Sequence, residues 1–562
     1  MSVPRQLFLV EEPMVLAEIA PRGARHGEVF TRRWVVDLIL DLVGYTADRD
    51  LASMVVVEPS CGSGAFLGPI IDRLAESAVR NSRDLTRLAA PPVRAFDLLE
   101  GNVEIARKSV VQRLEDAGLD QEVAHSLAES WVQTADFLLY GHEPRSADFV
   151  VGNPPYIRLE NVPRRVTDSY RRICPTMRGR SDIYVGFIER GLELLRHDGV
   201  LGFICADRWM RNQYGADLRQ LISESFAVDT VVTMHDTDPF ENEVSAYPAV
   251  IVLRRAPQAA ANVVTATRRF QERDAAKVAE WARRPRRRSV SSPAFDASRL
   301  DGWFDGRDLW PTGSPAQLSA IADLEARFPP LEDPSTGTRL GIGVATGCDD
   351  VYITKDTNLV EPDRLLPLLQ STDITTGAVA WAGHHLVNPW VDGELVDLAD
   401  YPRLASYLMG AETRLRARHV ASKRPAQWYR TIDRVAPDLQ ARPKLVLPDL
   451  KAASHPVLDA GEYYPHHNLY YVVSDRWDLE VLGGLLLSDV ANLFVGAYCV
   501  RMRGGCYRFQ AQYVRRIRVP LPDAVPQRER RALIRAFSTR DGEAATAAAL
   551  KLYGVTEVPP LR

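Results

Sequence analysis

Short, mostly apolar runs recur through the first half of the chain, and those at 54–57 and 148–151 are rich in β-branched residues. The runs lie at residues 54–57, 93–96 and 148–151, and helical stretches separate them. Continuous apolar runs of this length are typical of strands buried on both faces. Strands that alternate with helices form a mostly parallel, doubly wound sheet. The pattern therefore predicts an α/β fold with its ligand site at the carboxyl ends of the strands.

The tetrapeptide Asn153-Pro154-Pro155-Tyr156 begins where the third of these strands ends. Two consecutive prolines hold the backbone extended and remove two N–H donors, which leaves carbonyl groups ready to accept hydrogen bonds. Asn153 adds a side-chain carbonyl, and Tyr156 adds a flat face for stacking. Such a site suits a planar ring that bears an exocyclic amine. The alternative is a proline-rich loop without a ligand.

A glycine-rich turn, residues 58–67, joins the first strand to its helix. Gly62 and Gly64 allow a ligand to lie against bare backbone at the amino end of the helix. The turn lacks the third glycine of a dinucleotide fingerprint and the Gly-Lys-Ser/Thr ending of a phosphate loop. Glu58 would repel phosphate but suits an ammonium group. The turn therefore favours S-adenosylmethionine over NAD or ATP.

Acidic residues follow two further predicted elements. Asp97 ends the second strand, where an acid is placed to hold ribose hydroxyls. Asp136 and Phe137 follow a helical stretch and offer an acceptor and an aromatic wall for an adenine ring. Each of these signals is weak alone, but their order along the chain predicts a nucleoside cofactor site.

With these motifs, residues 20–255 resemble the gamma-type amino-group DNA methyltransferases, the TaqI-like adenine enzymes. Residues 27–31 resemble the amino-terminal cofactor motif of that family, and residues 181–184 and 199–204 match its later helix and strand. Residues 238–240, with 244–246 and the strand at 249–253, resemble the hairpin whose aromatic residue packs on the flipped base.

The resemblance implies a Rossmann-like class I methyltransferase domain, followed by a mixed α/β DNA-recognition domain. The residues it implies for catalysis are Asn153, Pro154, Pro155, Tyr156 and Phe240. The residues it implies for binding S-adenosylmethionine are Thr31, Glu58, Ser60, Gly62, Gly64, Asp97, Leu98, Asp136, Phe137, Asn153 and Pro155.

The expected reaction is transfer of a methyl group to N6 of an adenine that has rotated out of duplex DNA. Tyr156 is expected to stack on one face of the base and Phe240 on the other. Cytosine N4 is the alternative within the class, because both amines present the same geometry. Methylation of RNA or of protein glutamine, and a non-catalytic DNA-binding subunit, are the alternatives outside it.

Domain boundaries are predicted from changes in composition. Residues 1–255 form the catalytic domain, 256–335 a basic linker, 336–525 the recognition domain and 526–562 a helical tail. The linker carries a run of arginines that is expected to contact DNA phosphates beside the DNA-binding cleft. The alternative is that the run is only a solvated part of the linker. Arginines near the carboxyl end are suited to hydrogen-bond with the edges of DNA bases. The alternative is an ordinary pair of exposed strands with arginines on its surface. The predicted DNA contacts are Arg283, Arg284, Arg286, Arg287, Arg288, Arg508 and Arg516.

Composition narrows the class of protein. The chain has 562 residues, 46% of them hydrophobic, and a formal net charge of −4, so attraction to DNA must come from local patches. Its six cysteines include no Cys-x-x-Cys pair, which fits a reducing cytoplasm. No apolar run is long enough for a membrane span. Duplex DNA is the expected partner. Two alternatives stay open: a restriction–modification system with a separately encoded restriction endonuclease, or a solitary methylase used for epigenetic marking.

Two further patterns are predicted to carry no chemistry. Residues 449–451 resemble part of a nuclease core, but the upstream acid is not evident. The pairs His384-His385 and His466-His467 are adjacent in sequence. Side chains of neighbouring residues diverge on a strand or a helix, so no metal site is predicted.

Overall fold

The computed structural model describes residues 30–88, 90–241, 247–284, 286–501 and 506–560. These residues divide into two compact units, Met1–Ala316 and Gln317–Arg562. The division falls inside the segment predicted as a linker.

The first unit is built on a ten-stranded sheet in the order β3-β2-β1-β4-β5-β7-β6-β8-β10-β9. Strands β1, β2, β3, β4 and β5 are parallel, and β7 lies antiparallel between β5 and β6. The strands are β1 Val56–Glu58, β2 Val93–Asp97, β3 Val132–Thr134, β4 Ala147–Gly152, β5 Leu195–Ala206, β6 Ala227–Thr233, β7 Pro248–Arg254, β8 Ala261–Ala266, β9 Ser289–Ser291 and β10 Phe295–Leu300.

Helices cover both faces of this sheet, and a separate hydrophobic core lies under each face. On one face are α1 Arg33–Val43, α2 Leu67–Arg80, α3 Glu100–Asp116, α4 Gln121–Trp131 and, later in the chain, Glu272–Ala282 (α9). On the other are α5 Arg164–Ile173, α6 Tyr184–Leu194, α7 Arg208–Arg211 and α8 Ala216–Ser225. The predicted doubly wound α/β fold is confirmed.

The predicted linker is wrong over its first two-thirds. Residues 261–300 fold as β8, α9, β9 and β10 and extend the sheet beyond β6. The reason is the apolar character of β8, which is buried at Ala261, Val263 and Val264 and pairs in parallel with β6. The arginine run that follows concealed this strand pattern in the sequence.

The second unit is a mixed α/β assembly. A four-stranded sheet has the order β11-β21-β17-β19, and another the order β12-β14-β13-β20. The strands are β11 Arg339–Ile342, β12 Ile353–Thr354, β13 Leu365–Leu369, β14 His385–Val387, β15 Trp390–Val391, β16 Glu394–Leu395, β17 Lys444–Pro448, β18 Leu450–Lys451, β19 Val457–Asp459, β20 Tyr464–Pro465, β21 Leu469–Val473, β22 Val500–Arg501 and β23 Tyr507–Arg508.

Its helices are α10 Pro315–Arg327, α11 Asp349–Tyr352, α12 Pro402–Gly410, α13 Glu412–Arg416, α14 His419–Lys423, α15 Leu479–Leu487, α16 Asp489–Tyr498, α17 Ala511–Val514, α18 Gln527–Thr539 and α19 Gly542–Tyr553. The predicted helical tail is therefore the pair α18 and α19. Gly484 allows α15 to approach α18 closely, because a Cβ there would lie 2.6 Å from the carbonyl of Leu533.

Helices α15 and α16 are bent by 64° relative to one another. Taken together they match a membrane span in length and composition, but no single helix of the described residues does.

Candidate active site

The carboxyl ends of three neighbouring parallel strands bring the predicted site residues together. Glu58 ends β1, Asp97 ends β2, and Asn153 directly follows β4. Two hydrogen bonds join the three loops. The Ser60 hydroxyl donates to the carbonyl of Asn153 at 3.1 Å, and the backbone N–H of Gly62 donates to the Asp97 carboxylate at 2.9 Å.

The glycine turn needs its glycines. Gly62 and Gly64 have φ angles of 51° and 101°, in the left-handed region that side-chain-bearing residues rarely adopt. No described atom lies within 4 Å of a Cβ built on Gly62, so this backbone borders open space. A cavity of about 360 Å³ lies beside Gly64 and is also lined by Phe30, Ser63 and Glu241. The turn therefore presents exposed backbone beside a cavity.

Glu58 is a buried acid at the mouth of this turn. Its exposed fraction is 1%, and among the described residues its Oε2 atom has no hydrogen-bond partner. Burial, and then the neighbouring Asp97 carboxylate, raise the pKa of Glu58 well above its ordinary value. An acid held in this state suits a cationic ligand group, because the cation would restore the favourable interaction that burial removes.

Asp97 is tied into the protein. One carboxylate oxygen accepts the Gly62 N–H, and the other accepts the N–H of Leu99 at 2.9 Å and the Asn102 amide at 3.3 Å. Asp97 therefore holds the glycine turn in place, a role its sequence position did not reveal. Leu98, beside it, is half-buried.

Asp136 and Phe137 follow β3 and lie mostly in the core. The Asp136 carboxylate accepts the N–H of Leu138 at 2.9 Å and the hydroxyl of Tyr170 at 2.7 Å. Phe137 stacks on Phe187, with ring centroids 5.5 Å apart, so that face of Phe137 is occupied. Tyr170, in α5, orients Asp136; no motif in the sequence pointed to it.

The tetrapeptide is held from the amino-terminal side of the chain. The Asn153 amide nitrogen donates to the Thr31 hydroxyl at 3.1 Å. Thr31 in turn pairs with Phe240 in an isolated β-bridge, and Arg32 donates to the carbonyl of Phe240 at 2.9 Å. The predicted motif residues Gly27, Glu28 and Val29, and the hairpin residues 244–246, lie outside the described residues.

The aromatic residues of the site do not form the expected parallel sandwich. The rings of Tyr156 and Phe240 have centroids 6.1 Å apart and are inclined at 81°. A planar base can lie parallel to only one of them, and Phe240 is the more deeply buried. Tyr156 is only partly buried, whereas Phe240 lies in the core, so Tyr156 is the better placed of the two rings to stack on a base.

Comparisons with known proteins establish the family of this chain. Residues 94–240 match the family model "Eco57I restriction-modification methylase". The chain is 43% identical to the type II methyltransferase M.XhoI of Xanthomonas vasicola, over 94% of this chain and 97% of that protein. It is 45% identical to the type II methyltransferase M.PaeR7I of Pseudomonas aeruginosa, over 94% and 92%. The chain belongs to the type II DNA methyltransferases of restriction–modification systems.

The cofactor of the methyltransferase is S-adenosylmethionine. The buried, unpartnered oxygen of Glu58 beside the open glycine turn fits the amino group of that molecule. The fold is also shared with a solved structure of the type IIL restriction-modification enzyme MmeI in complex with DNA. That likeness covers 93% of this chain and 74% of MmeI, with a TM-score of 0.55 at 12% identity.

The arginine run of the methyltransferase does not lie beside the site. Strand β9 begins at Ser289, which pairs with Ser298 near the end of β10. That end of β10 pairs with the start of β8, so the run lies at the edge formed by the amino ends of the parallel strands. The two edges of the sheet are about one strand length apart, roughly 15–20 Å. The prediction that the five arginines of the run lie beside the cleft is therefore wrong.

These arginines are engaged locally. Arg283 lies 3.8 Å from Asp41, Arg284 pairs with Glu280, and Arg288 pairs with Asp301 at 3.1 Å. Arg286 and Arg287 are exposed. The alternative expectation, a solvated surface segment, describes this run better.

The two carboxyl-terminal arginines differ. Arg508, in β23, is half-exposed and lies 3.4 Å from the Asp449 carboxylate. The Arg516 side chain is only 15% exposed, stacks over the ring of Tyr498 and lies 3.8 Å from Glu325. The predicted base-reading role of Arg516 is wrong, because its guanidinium is packed inside the second unit.

The expectation that adjacent histidines diverge is also wrong for one pair. The ring centroids of His466 and His467 are 4.1 Å apart. These residues lie where β20 ends and a turn begins, so the alternation of side chains along a regular strand does not apply.

Proposed function

We propose that the methyltransferase transfers a methyl group from S-adenosylmethionine to N6 of an adenine in a specific sequence of duplex DNA. The observation that carries the proposal is the contact between the cofactor loop and the tetrapeptide. The Ser60 hydroxyl and the Asn153 carbonyl are 3.1 Å apart, so a cofactor on the glycine turn and an amine at Asn153 would be neighbours.

The tetrapeptide accounts for the activation of the amine. An exocyclic base amine is a weak nucleophile because its lone pair is delocalised into the ring. When the Asn153 side-chain oxygen and the Pro154 carbonyl accept its two protons, the nitrogen moves towards tetrahedral geometry and its lone pair becomes available. No strong base is needed. The bound cofactor supplies an electrophilic methyl group, and the protein orients the amine towards it.

The target base must leave the helix to reach this loop, which costs a few kcal/mol. Stacking on the face of Tyr156 offsets much of this cost, since base–aromatic stacking contributes about 1–3 kcal/mol. Burial raises the pKa of the Tyr156 phenol well above its ordinary value, which favours the neutral ring. Pro154 is buried and Pro155 half-buried, which keeps the loop rigid beneath the base.

The resemblance of Asn153-Pro154-Pro155-Tyr156 to the adenine enzymes favours adenine over cytosine. The second candidate, methylation of cytosine N4, uses the same loop geometry. The relatives named above are methyltransferases, and this chain spans 97% of M.XhoI, so we also propose that the cognate endonuclease is a separate protein.

Product analysis tests the target base. Genomic DNA from cells that express the chain, and DNA from cells that express its Asn153→Ala variant, would be digested to nucleosides and analysed by mass spectrometry. We expect N6-methyladenine only with the unchanged chain. N4-methylcytosine as the sole product would overturn the adenine assignment, and labelled methyl groups in RNA or protein but not in DNA would overturn the substrate class. Modification-sensitive sequencing of the same DNA would give the recognition sequence.

A further inference from the structure

A cluster of two histidines and an aspartate in the second unit has the composition of a metal site. The carboxylate of Asp349 and the ring nitrogens of His466 and His467 provide three ligand atoms within 4.8 Å of one another. These three residues belong to the second compact unit, whereas Asn153 belongs to the first.

The backbone places these side chains together. Val344 forms an isolated bridge with His466, and the His467 N–H donates to the carbonyl of Val344 at 3.1 Å. This approach requires Gly343, because a Cβ there would lie 2.3 Å from the carbonyl oxygen of His466. Asp349 begins α11, five residues after Val344. The turn that follows β20 is thus held against the start of α11.

Asp349 is oriented from its other side. The hydroxyl of the buried Thr346 donates a hydrogen bond to Oδ1 of Asp349. The second oxygen, Oδ2, lies 3.4 Å from Nε2 of His466. A neutral or charged imidazole that donated directly to the carboxylate would approach to about 2.7–3.2 Å, so this spacing is too long for a good hydrogen bond.

His466 also has the Asn468 side chain as a neighbour. Its exposed fraction is 5%, and within the described part of the chain neither of its ring nitrogens makes a hydrogen bond of ordinary geometry. Buried polar atoms in native proteins are nearly always partnered, and an unpartnered one points to a missing ligand. Nε2 of His466 is directed towards the Asp349 carboxylate, so a ligand between them would satisfy both groups.

We propose that Asp349, His466 and His467 bind a divalent transition-metal ion, of which zinc is the best match. Imidazole and carboxylate ligands lie about 2.0–2.2 Å from zinc, and tetrahedral geometry then separates two ligand atoms by about 3.4 Å. The distance of 3.4 Å between Nε2 of His466 and Oδ2 of Asp349 equals this separation. Asp349 and His467 are exposed, so solvent can supply the fourth ligand. The ion would fasten the turn at His466 to the start of α11.

Zinc binding to the full-length protein tests this inference without reference to methyl transfer. Untagged, chelator-treated protein would be titrated with zinc chloride by calorimetry, and the bound metal counted by elemental analysis. Cobalt(II) would report geometry through its visible absorption. The variants are His467→Ala and Asp349→Asn, which change exposed side chains and spare the buried His466. The matched control is His419→Ala, an exposed histidine of the same unit outside the cluster.

We expect one zinc ion per chain, a tetrahedral cobalt spectrum and a rise in unfolding temperature on adding zinc. His467→Ala and Asp349→Asn should each weaken zinc binding at least tenfold and remove the thermal shift, whereas His419→Ala should change neither. Equal binding by the unchanged protein and a folded His467→Ala/Asp349→Asn double variant would overturn the inference. So would loss of binding in His419→Ala, since it would indicate adventitious surface binding.

Discussion

The amide nitrogen of Asn153 donates a hydrogen bond of 3.1 Å to the hydroxyl of Thr31, a residue 122 positions earlier in the chain. In this orientation the amide nitrogen of Asn153 faces Thr31. The carbonyl oxygen, which the proposed mechanism needs as an acceptor, is therefore at the opposite end. Thr31 acts here as a positioning residue.

Removing the Thr31 hydroxyl should impair the turnover step. In Thr31→Val the Asn153 amide loses its anchor at similar side-chain volume, and we expect the single-turnover rate to fall about 5–30-fold, as for a lost hydrogen bond of about 1–2 kcal/mol. Thr31→Ser keeps the hydroxyl and should recover most of the rate. If the valine and serine variants are equally slow, the hydroxyl has no positioning role.

Removing the acceptor itself should have a larger effect. Asn153→Ala leaves the glycine turn, Glu58 and Tyr156 in place, so cofactor affinity measured by calorimetry should stay nearly unchanged. The methyl-transfer rate should fall by at least about a hundredfold, the size typical of losing one transition-state hydrogen bond. Turnover close to that of the unchanged enzyme, in a single-turnover assay, would contradict the proposed mechanism.

Glu58 should reduce the stability of the cofactor-free protein at neutral pH. Its pKa is raised by burial, so the folded protein favours the protonated acid. In the unfolded chain Glu58 has its ordinary pKa of 4.5. The favourable contribution of the protonated acid to folding is fully present below pH 4.5 and is lost as the pH rises through the higher pKa of the folded protein. Glu58→Gln does not ionise. Its unfolding temperature should therefore exceed that of the unchanged protein at neutral pH, with a difference that shrinks below pH 4.5.

The same substitution should weaken cofactor binding, because glutamine cannot pair as a charge with the amino group of S-adenosylmethionine. Calorimetry and thermal unfolding of one preparation would measure both effects. A Glu58→Gln variant that binds the cofactor as tightly as the unchanged protein would remove the assignment of Glu58 to the amino group, whatever its stability.

The arginines of the two units should behave differently towards DNA. Arg286 and Arg287 lie at the edge of the sheet away from Asn153, so Arg286→Ala/Arg287→Ala should leave cognate affinity and its salt dependence nearly unchanged. Arg508→Ala removes a half-exposed guanidinium and should reduce discrimination among related sequences by about 1–3 kcal/mol if Arg508 reads a base. Binding titrations at several salt concentrations would measure both. A flattened salt dependence in the double variant alone would reverse these assignments.

The buried pair of Lys444 and Asp459 should be important for the stability of the second unit. Their charged atoms lie 2.7 Å apart, and both side chains are fully buried. Lys444→Met would leave the Asp459 carboxylate without its cation, which should cost about 3–5 kcal/mol of unfolding free energy. Adding Asp459→Asn to that variant should restore part of the loss. Denaturant unfolding of the unchanged protein, of Lys444→Met and Asp459→Asn singly, and of the double variant would test the coupling, and additive effects would argue against it.

The sequence by itself determined the doubly wound sheet and the order of the site residues along its edge. Buried parallel strands must be continuous apolar runs, and their carboxyl ends must meet at one edge, so Glu58, Asp97 and Asn153 are brought together by local pattern alone. The glycines of the turn were predictable for the same reason, since left-handed backbone strongly favours glycine.

Only the tertiary structure decided which charged and polar groups face one another. Arginine patterns look alike in sequence whether the side chain is solvated, as in Arg286, or packed on an aromatic ring, as in Arg516. The Thr31–Asn153 and Asp136–Tyr170 contacts join residues that are 122 and 34 positions apart, and no local pattern encodes such pairs. Hydrophobic periodicity reports burial along one element, whereas hydrogen bonds and ion pairs depend on the relative placement of several.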